Sequence, residues 1–124
     1  MTPKNVRVFV CTEPQDMRRG FDRLALAVRA EMGGDPRSGA VFVFLSRRAD
    51  RIKLLWWDHS GFAVLYKRLH RATTQPPKAM DSSQRSIEID EKSLGALLRG
   101  VPRAPRRGRE NALDSDARIS SKSA

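Results

Sequence analysis

The alternation of apolar and polar positions predicts most of the secondary structure of this chain. Apolar residues alternate from Val6 to Cys11, as in a β-strand, and residues 41–45 are apolar throughout, which indicates an interior strand covered on both faces. Between these strands, apolar residues recur at spacings of three and four over residues 17–32, which gives a helix one apolar stripe. If the two strands are parallel neighbours, this helix is the crossover between them.

Polar residues and glycines predict the ends of this first helix. Asp16 is expected to cap its N-terminus by accepting hydrogen bonds from the free N–H groups of the first turn. Arg18 is expected to pair with Asp22 one turn later. Gly20 then lies inside the helix, at a cost of about 1 kcal/mol relative to alanine, and Gly33-Gly34 ends it.

A hairpin over residues 51–69 is the central feature of the chain, and it holds both tryptophans and the only tyrosine. The sequence Asp58-His59-Ser60-Gly61 is typical of a type I turn with Gly61 left-handed, followed by a bulge. In that register Asp58 faces Phe62. A two-residue loop at His59-Ser60 is the alternative, and it shifts the pairing by one residue.

The first register sorts the hairpin into a core face and a cationic face. The core face is predicted to hold Ile52, Leu54, Trp56, Phe62, Val64 and Tyr66. The other face is predicted to hold Arg51, Lys53, Leu55, Trp57, Ala63, Leu65 and Lys67. Lys53 would oppose Lys67, and such cations beside an exposed Trp57 suit a nucleic-acid backbone with a stacked base. Alternatively, the lysine stems cover Leu55 and Leu65 while their ammonium groups are solvated.

The remainder of the chain predicts a loop, a strand and a short helix. Residues 70–86 contain Pro76-Pro77 and favour a loop, and residues 86–89 alternate as a short strand. Asp90 is expected to cap a last helix that Gly100 and Pro102 end. The predicted fold is therefore a small α+β domain of order β-α-β-β-β-β-α. It has a mostly antiparallel sheet with a central hairpin, one long helix packed on it and a short C-terminal helix.

Composition adds a strong positive charge to this fold. The 124 residues include 24 Lys and Arg against 14 Asp and Glu, a formal charge of +10. Residues 1–101 are expected to form the single domain. Residues 102–124 have too few apolar positions to offset their ordering entropy and are predicted to be a disordered basic tail. A basic domain favours a polyanionic partner, most commonly nucleic acid.

Several classes of protein are disfavoured by what the sequence lacks. Cys11 is the only cysteine, so no intramolecular disulfide or multi-cysteine metal site is expected, and its apolar surroundings predict burial. No stretch resembles a signal peptide, a membrane span or a basic amphipathic helix. The expectation is a soluble, cytoplasmic protein with no membrane partner.

Candidate catalytic carboxylates have simpler structural explanations. Asp16 is predicted to cap a helix, Asp35 and Asp58 to form turns, and Asp22 to pair with an arginine; only Asp50 lacks a local role. The run Glu88-Ile89-Asp90-Glu91-Lys92 is weakly similar to the acid-x-Lys core of some metal-dependent nucleases. A strand end followed by a helix cap explains this run equally well. No catalytic residue, metal site or cofactor is predicted.

Several stretches together resemble the small accessory protein, TnpB or Orf2, of insertion sequences in the IS-66 family. The similarity covers roughly residues 5–101, in order and at the family's spacing, and departs from the family after Leu69. The stretches that carry it are residues 16–24 (DMRRGFDRL), 35–39 (DPRSG), 41–44 (VFVF), 47–58 (RRADRIKLLWWD), 61–62 (GF), 66–69 (YKRL) and 97–101 (LLRGV). The resemblance implies a bacterial protein encoded beside a separate, larger transposase and required for efficient transposition.

The leading functional hypothesis is a non-enzymatic transposition accessory factor that binds nucleic acid, DNA above all, through basic residues. The candidates on the hairpin and its ends are Arg47, Arg48, Arg51, Lys53, Trp57, Lys67, Arg68 and Arg71; those on the first helix are Arg18, Arg19 and Arg23. A solvated basic surface is the alternative explanation of this cluster. A second hypothesis is a protein–protein adaptor for the transposase or another accessory protein, with Trp57, Leu55 and Leu65 as its apolar patch. A metal-dependent nuclease is the third.

Overall fold

A five-stranded sheet with a helix on each face forms the body of the protein. The computed structural model describes residues 6–78, 80–81 and 83–102. The strands are β1 (Val8–Cys11), β2 (Val41–Leu45), β3 (Arg51–Trp57), β4 (Phe62–Arg68), β5 (Ala72–Thr73), β6 (Ser86–Ile89) and β7 (Val101–Pro102). The helices are α1 (Phe21–Ala27), which continues as a π-helical segment (Val28–Met32), and α2 (Glu91–Arg99). Within the described ranges, neither helix combines the length and apolarity needed to cross a bilayer.

The main sheet confirms the predicted α+β class. Its strand order is β4-β3-β2-β1-β6, in which β1 and β2 are parallel and the other neighbours are antiparallel. The short strands β5 and β7 form a second, two-stranded sheet that the sequence did not predict. Pro102, assigned above to the tail, belongs to β7. The rest of the predicted tail, residues 103–124, lies outside the described residues.

The core has two layers, one on each side of the sheet. On the α1 side, the buried side chains include Leu24, Phe44 and Leu55. On the α2 side, they include Val43, Ile52 and Leu94. All five residues of β2 are buried, as their continuous apolar run predicted, because both faces of this strand lie under a helix.

The start of α1 differs from the prediction. Gly20 is the N-cap residue rather than an interior residue, and Phe21 begins the helix. Asp16 instead accepts a hydrogen bond from the backbone N–H of Arg18 (2.9 Å), and the ion pair is Arg18–Asp16 (2.9 Å), not Arg18–Asp22. An aspartate can satisfy an N–H two residues later in a turn as readily as it caps a helix, and here the turn is formed. The predicted end is confirmed, since Gly33 is left-handed with φ 69°.

The register of the β3–β4 hairpin is also shifted by one residue from the first of the two predicted registers. Trp57 pairs with Phe62, Asp58 N–H donates to the carbonyl of Gly61 (2.7 Å), and His59 is left-handed (φ 51°). The loop is therefore the two-residue alternative. Strand β4 lies at an edge of the sheet with much of its surface exposed, so burial discriminates only weakly between neighbouring registers.

The C-terminal helix α2 follows the prediction closely. Asp90 Oδ1 accepts a hydrogen bond from the N–H of Ser93 (2.8 Å), which is the expected cap. Leu94 and Leu97 are buried on the sheet. Gly100 ends the helix with φ 72°, and a Cβ there would lie 2.8 Å from Cδ1 of Leu69, so this position requires glycine.

Candidate nucleic-acid interface

Arginines from separate segments meet at one end of the sheet. They line two adjacent depressions of about 400 and 610 Å³, which share Arg48, Asp50 and Arg68. We call this group the arginine end; it consists of Arg18, Arg47, Arg48, Arg51, Arg68 and Arg71. All six were candidates from the sequence. The fold brings them together because β3 begins, and β4 ends, at this end of the sheet.

The loop between β2 and β3 presents Arg47 and Arg48 at its tip. Ala49 N–H donates to the carbonyl of Ser46 (2.9 Å), and Ser46 N–H donates to the carbonyl of Arg51 (3.0 Å). The hydroxyl of Ser46 donates to Asp50 Oδ1 (3.2 Å). These bonds close a tight turn, and both tip arginines are exposed. The idea that Asp50 has no local role is therefore wrong, because its carboxylate holds this turn.

The segment that follows β4 is tied to the same loop. Leu69 N–H donates to the carbonyl of Asp50 (2.8 Å), and Thr74 N–H donates to the carbonyl of Ala49 (2.7 Å). Ala49 (φ 58°) and Arg71 (φ 56°) are both left-handed, a conformation that non-glycine residues adopt rarely and at some energetic cost. These hydrogen bonds hold the two left-handed residues in place. The β2–β3 loop and the segment after β4 therefore present their arginines from defined backbone positions.

Arg18 approaches the depression from the segment before α1. Gln15 N–H donates to the carbonyl of Leu45 (2.9 Å), which fixes this segment against the end of β2. Arg18 lowers the pKa of Asp16 to about 2 through its side-chain and backbone hydrogen bonds. Because that pKa is lowered, the pair is intact above the ordinary carboxyl range and is lost as the pH falls through about 2. Sequence reasoning missed Gln15 and Ser46, whose role depends on contacts rather than on a motif.

Among the described residues, the lining of the two depressions carries more positive than negative charge, with six arginines against Asp16 and Asp50. Arg51 lies directly opposite Arg68 in the β3–β4 ladder, a like-charge pairing that is destabilising in itself, and Asp50 lines the same depressions. Within the described residues two ion pairs are found, Arg7–Glu88 and Arg18–Asp16, so Arg18 alone of the arginine end takes part in one. A bound anion would relieve the repulsion between the remaining guanidinium groups.

Lys53 and Lys67 do not form the cationic pair that the sequence predicted. Lys53 opposes Tyr66, is only 8% exposed and donates from Nζ to the carbonyl of Arg19 (2.8 Å). Its Nζ also lies 4.8 Å from the centroid of the Tyr66 ring. Lys67 opposes Ile52 on the other face of the sheet and donates to the carbonyl of Leu98 (2.7 Å). The one-residue shift in register separates the two lysines.

Trp57, Arg19 and Arg23 are not among the residues that line the two depressions. Trp57 is half-buried rather than exposed, with the guanidinium of Arg37 4.5 Å from the centre of its ring and Phe62 against its edge. Arg19 donates to Oε1 of Gln15 (2.9 Å). Arg23 is exposed on α1 and lines neither depression.

Two other predicted features can be placed in the fold. Asp35 accepts a hydrogen bond from the N–H of Arg37 (3.0 Å), which confirms its turn role. Cys11 is buried, as predicted, and burial raises the pKa of its thiol. In the part of the chain that the structure describes, no group of three or more His, Cys, Asp or Glu side chains is arranged to hold a metal ion.

Comparison with known proteins shows which family this chain resembles. The sequence model for the family described as IS66 Orf2 like protein matches residues 6–107. The chain is 37% identical over 98 residues to Uncharacterized protein y4hO of Sinorhizobium fredii (strain NBRC 101917 / NGR234), covering 79% of this chain and 83% of that protein. It is 34% identical over 98 residues to Uncharacterized protein y4jC of the same strain, covering 79% and 81%. No solved structure matches the chain.

Proposed function

The chain belongs to the IS66 Orf2-like family of transposition accessory proteins, and we propose that it acts in transposition by binding DNA through the arginine end. The role is non-enzymatic: the protein holds DNA, and a separate transposase carries out the chemistry. The observation that carries the proposal is the convergence of six arginines from separate segments on two adjoining depressions.

The chemistry of the arginine end suits a phosphodiester backbone. A guanidinium group offers a planar fork of N–H donors that matches two oxygens of one phosphate. The opposed pair Arg51 and Arg68, with Arg48 beside them, would each gain a counter-charge from successive phosphates. Contacts of this kind give salt-sensitive binding with little sequence preference. Arg23 is exposed on α1 outside both depressions, and Lys53 and Arg19 are already engaged within the protein.

The test is DNA affinity as a function of salt concentration for the full chain and the double variant Arg47→Ala/Arg48→Ala. Each lost phosphate contact lowers the slope of log affinity against log salt by about 0.9, so we expect a slope shallower by about 1.8 for two contacts. The tip of the β2–β3 loop is exposed, so the variant should fold normally.

The matched control is Arg29→Ala/Arg85→Ala, which removes the same charge from exposed positions outside the arginine end. Its salt slope should stay close to that of the unaltered protein, and its affinity should fall only through the change in net charge. Equal effects of the two double variants would refute a localised site and leave a diffuse basic surface as the explanation.

An adaptor for the transposase is the second candidate function. The patch predicted from the sequence does not form, because Leu55 is fully buried. However, Phe21 (48% exposed) and Leu26 (59% exposed) lie on α1, and the Phe21 ring is 5.9 Å from that of Phe62. Such an exposed apolar group suits a protein contact. Retention of the transposase by the unaltered chain, and not by Leu26→Glu, would favour this role.

A further inference from the structure

Strand β4 is a long edge of the main sheet with apolar side chains exposed. It pairs with β3 on one side and forms the end of the strand order. Within it, Val64 and Leu65 are each 39% exposed and Tyr66 is 51% exposed. An edge of this length and composition is a template for pairing with another strand, and natural proteins usually protect such edges.

The hydrogen-bonding groups that face outward on β4 can be identified from the register. Asp58 N–H donates to the carbonyl of Gly61, so these two residues form a hydrogen-bonded pair. Such pairs alternate along an antiparallel ladder, so Ala63, Leu65 and Lys67 bond to β3. The N–H and C=O groups of the alternate residues therefore point away from β3; these residues are Phe62, Val64, Tyr66 and Arg68.

We propose that β4 pairs antiparallel with β4 of a second copy of this chain, with Leu65 opposite Leu65 of that copy. This register uses all seven residues of the strand and joins two five-stranded sheets into one continuous sheet. This register also pairs residues whose N–H and C=O groups point away from β3. Val64 lies opposite Tyr66, and Phe62 lies opposite Arg68. The inference does not depend on DNA binding.

The charge pattern of β4 favours a second copy in this orientation. Both cations of the strand, Lys67 and Arg68, lie at its C-terminal end. Antiparallel pairing centred on Leu65 sets Lys67 opposite Ala63 and Arg68 opposite Phe62, so no two cations oppose each other. The two Arg68 residues are then separated by about 20 Å along the strands, well beyond the screening length of about 8 Å.

The side chains on the α1 face of this edge also complement each other. Phe62 already lies against Trp57 (ring centroids 5.0 Å apart) and Phe21 (5.9 Å apart). Arg68 of the second copy would come opposite Phe62, where its aliphatic stem covers the ring while its guanidinium group stays at the arginine end. On the other face, the half-exposed Leu65 would be covered by its own counterpart.

Cross-linking of the full chain tests the register directly. Opposed residues of a non-hydrogen-bonded antiparallel pair have Cα atoms about 4.5 Å apart, within the range of a disulfide. We therefore expect Leu65→Cys to form a disulfide-linked dimer almost completely on mild oxidation. Ala63→Cys is the matched control, because Ala63 lies on the same face as Leu65. In this register the two Ala63 residues are displaced along the strands by the length of about four residues, so this variant should cross-link only slowly. Cys11 is buried and should not contribute.

The mass in solution provides the second test. The unaltered chain should sediment at twice the 14.0 kDa of one copy. Tyr66→Pro removes an outward N–H group but no hydrogen bond to β3, so it should give a folded monomer. A monomeric unaltered chain, equal cross-linking of the two cysteine variants, or a dimer that survives Tyr66→Pro would each overturn the proposal. If the unaltered chain is a monomer, the partner of the β4 edge would instead be a strand of a different protein.

Discussion

Replacement of Phe44 by alanine is expected to lower the free energy of unfolding by about 3–5 kcal/mol. Phe44 is fully buried in the middle strand β2, on the face of the sheet that α1 covers. Truncation removes apolar contacts and leaves a cavity that a well-packed sheet cannot close by small movements. Since a domain of this size has a total stability of about 5–15 kcal/mol, the variant should be close to unfolding at physiological temperature.

Phe21→Ala is the matched control for this prediction. The same side chain is removed from a position that is 48% exposed at the start of α1, so the loss should be about 1 kcal/mol or less. Denaturant unfolding of both variants measures the difference. If the two substitutions lower the free energy of unfolding by the same amount, the description of a two-layer core would be wrong in this region.

Lys53→Ala should destabilise the protein by about 2–4 kcal/mol. The side chain is 8% exposed, and its ammonium group donates to the carbonyl of Arg19 and lies over Tyr66. Truncation therefore removes buried methylene groups and a charge-assisted hydrogen bond, which is one of the contacts that hold the segment before α1 on the sheet. Lys53→Met keeps most of the apolar stem and should cost less, because only the hydrogen bond and charge are lost.

The neighbouring lysine supplies the control for Lys53. Lys67 also donates to a backbone carbonyl, that of Leu98, but its side chain is exposed. Lys67→Ala should therefore cost about 1 kcal/mol or less. Thermal unfolding of the two alanine variants distinguishes the buried lysine from the solvated one; similar melting temperatures would mean that Lys53 is a surface residue.

The elements best predicted from the sequence are those with one strong local signal. Strand β2 is apolar at every position and is buried at every position. Helix α2 has Asp90 as its N-cap and Gly100 as its C-cap, as predicted from capping chemistry. In these cases, burial and the satisfaction of backbone hydrogen bonds favour the same structure, so the sequence determines it locally.

The errors arose where two local solutions have similar energies. Asp16 can cap a helix or close a turn, and the choice depends on the contact of Gln15 with the end of β2. The turn at residues 58–61 is compatible with two registers, and the exposed edge strand β4 does not penalise either strongly. The burial of Lys53 depends on the carbonyl of Arg19, which lies 34 positions earlier in the chain. No local pattern reveals such a contact.

The candidate site was predicted in its composition but not in its shape. The arginines between positions 47 and 71 are crowded in the sequence, and antiparallel pairing of β3 with β4 brings Arg51 opposite Arg68. The inclusion of Arg18, and the exclusion of Lys53 and Trp57, required the fold. The site proposed from the structure therefore lies at the end of the sheet, whereas the sequence favoured the face of the hairpin.

The most direct test of DNA binding at the arginine end is the change in backbone amide NMR signals on addition of a short DNA duplex. We expect the signals of residues 46–51 and 68–71 and of Arg18 to shift, and those of the hairpin tip (residues 58–61) and of α2 to stay in place. Shifts centred on the hairpin tip or on α2, or no shifts at all at low salt, would contradict the proposed site.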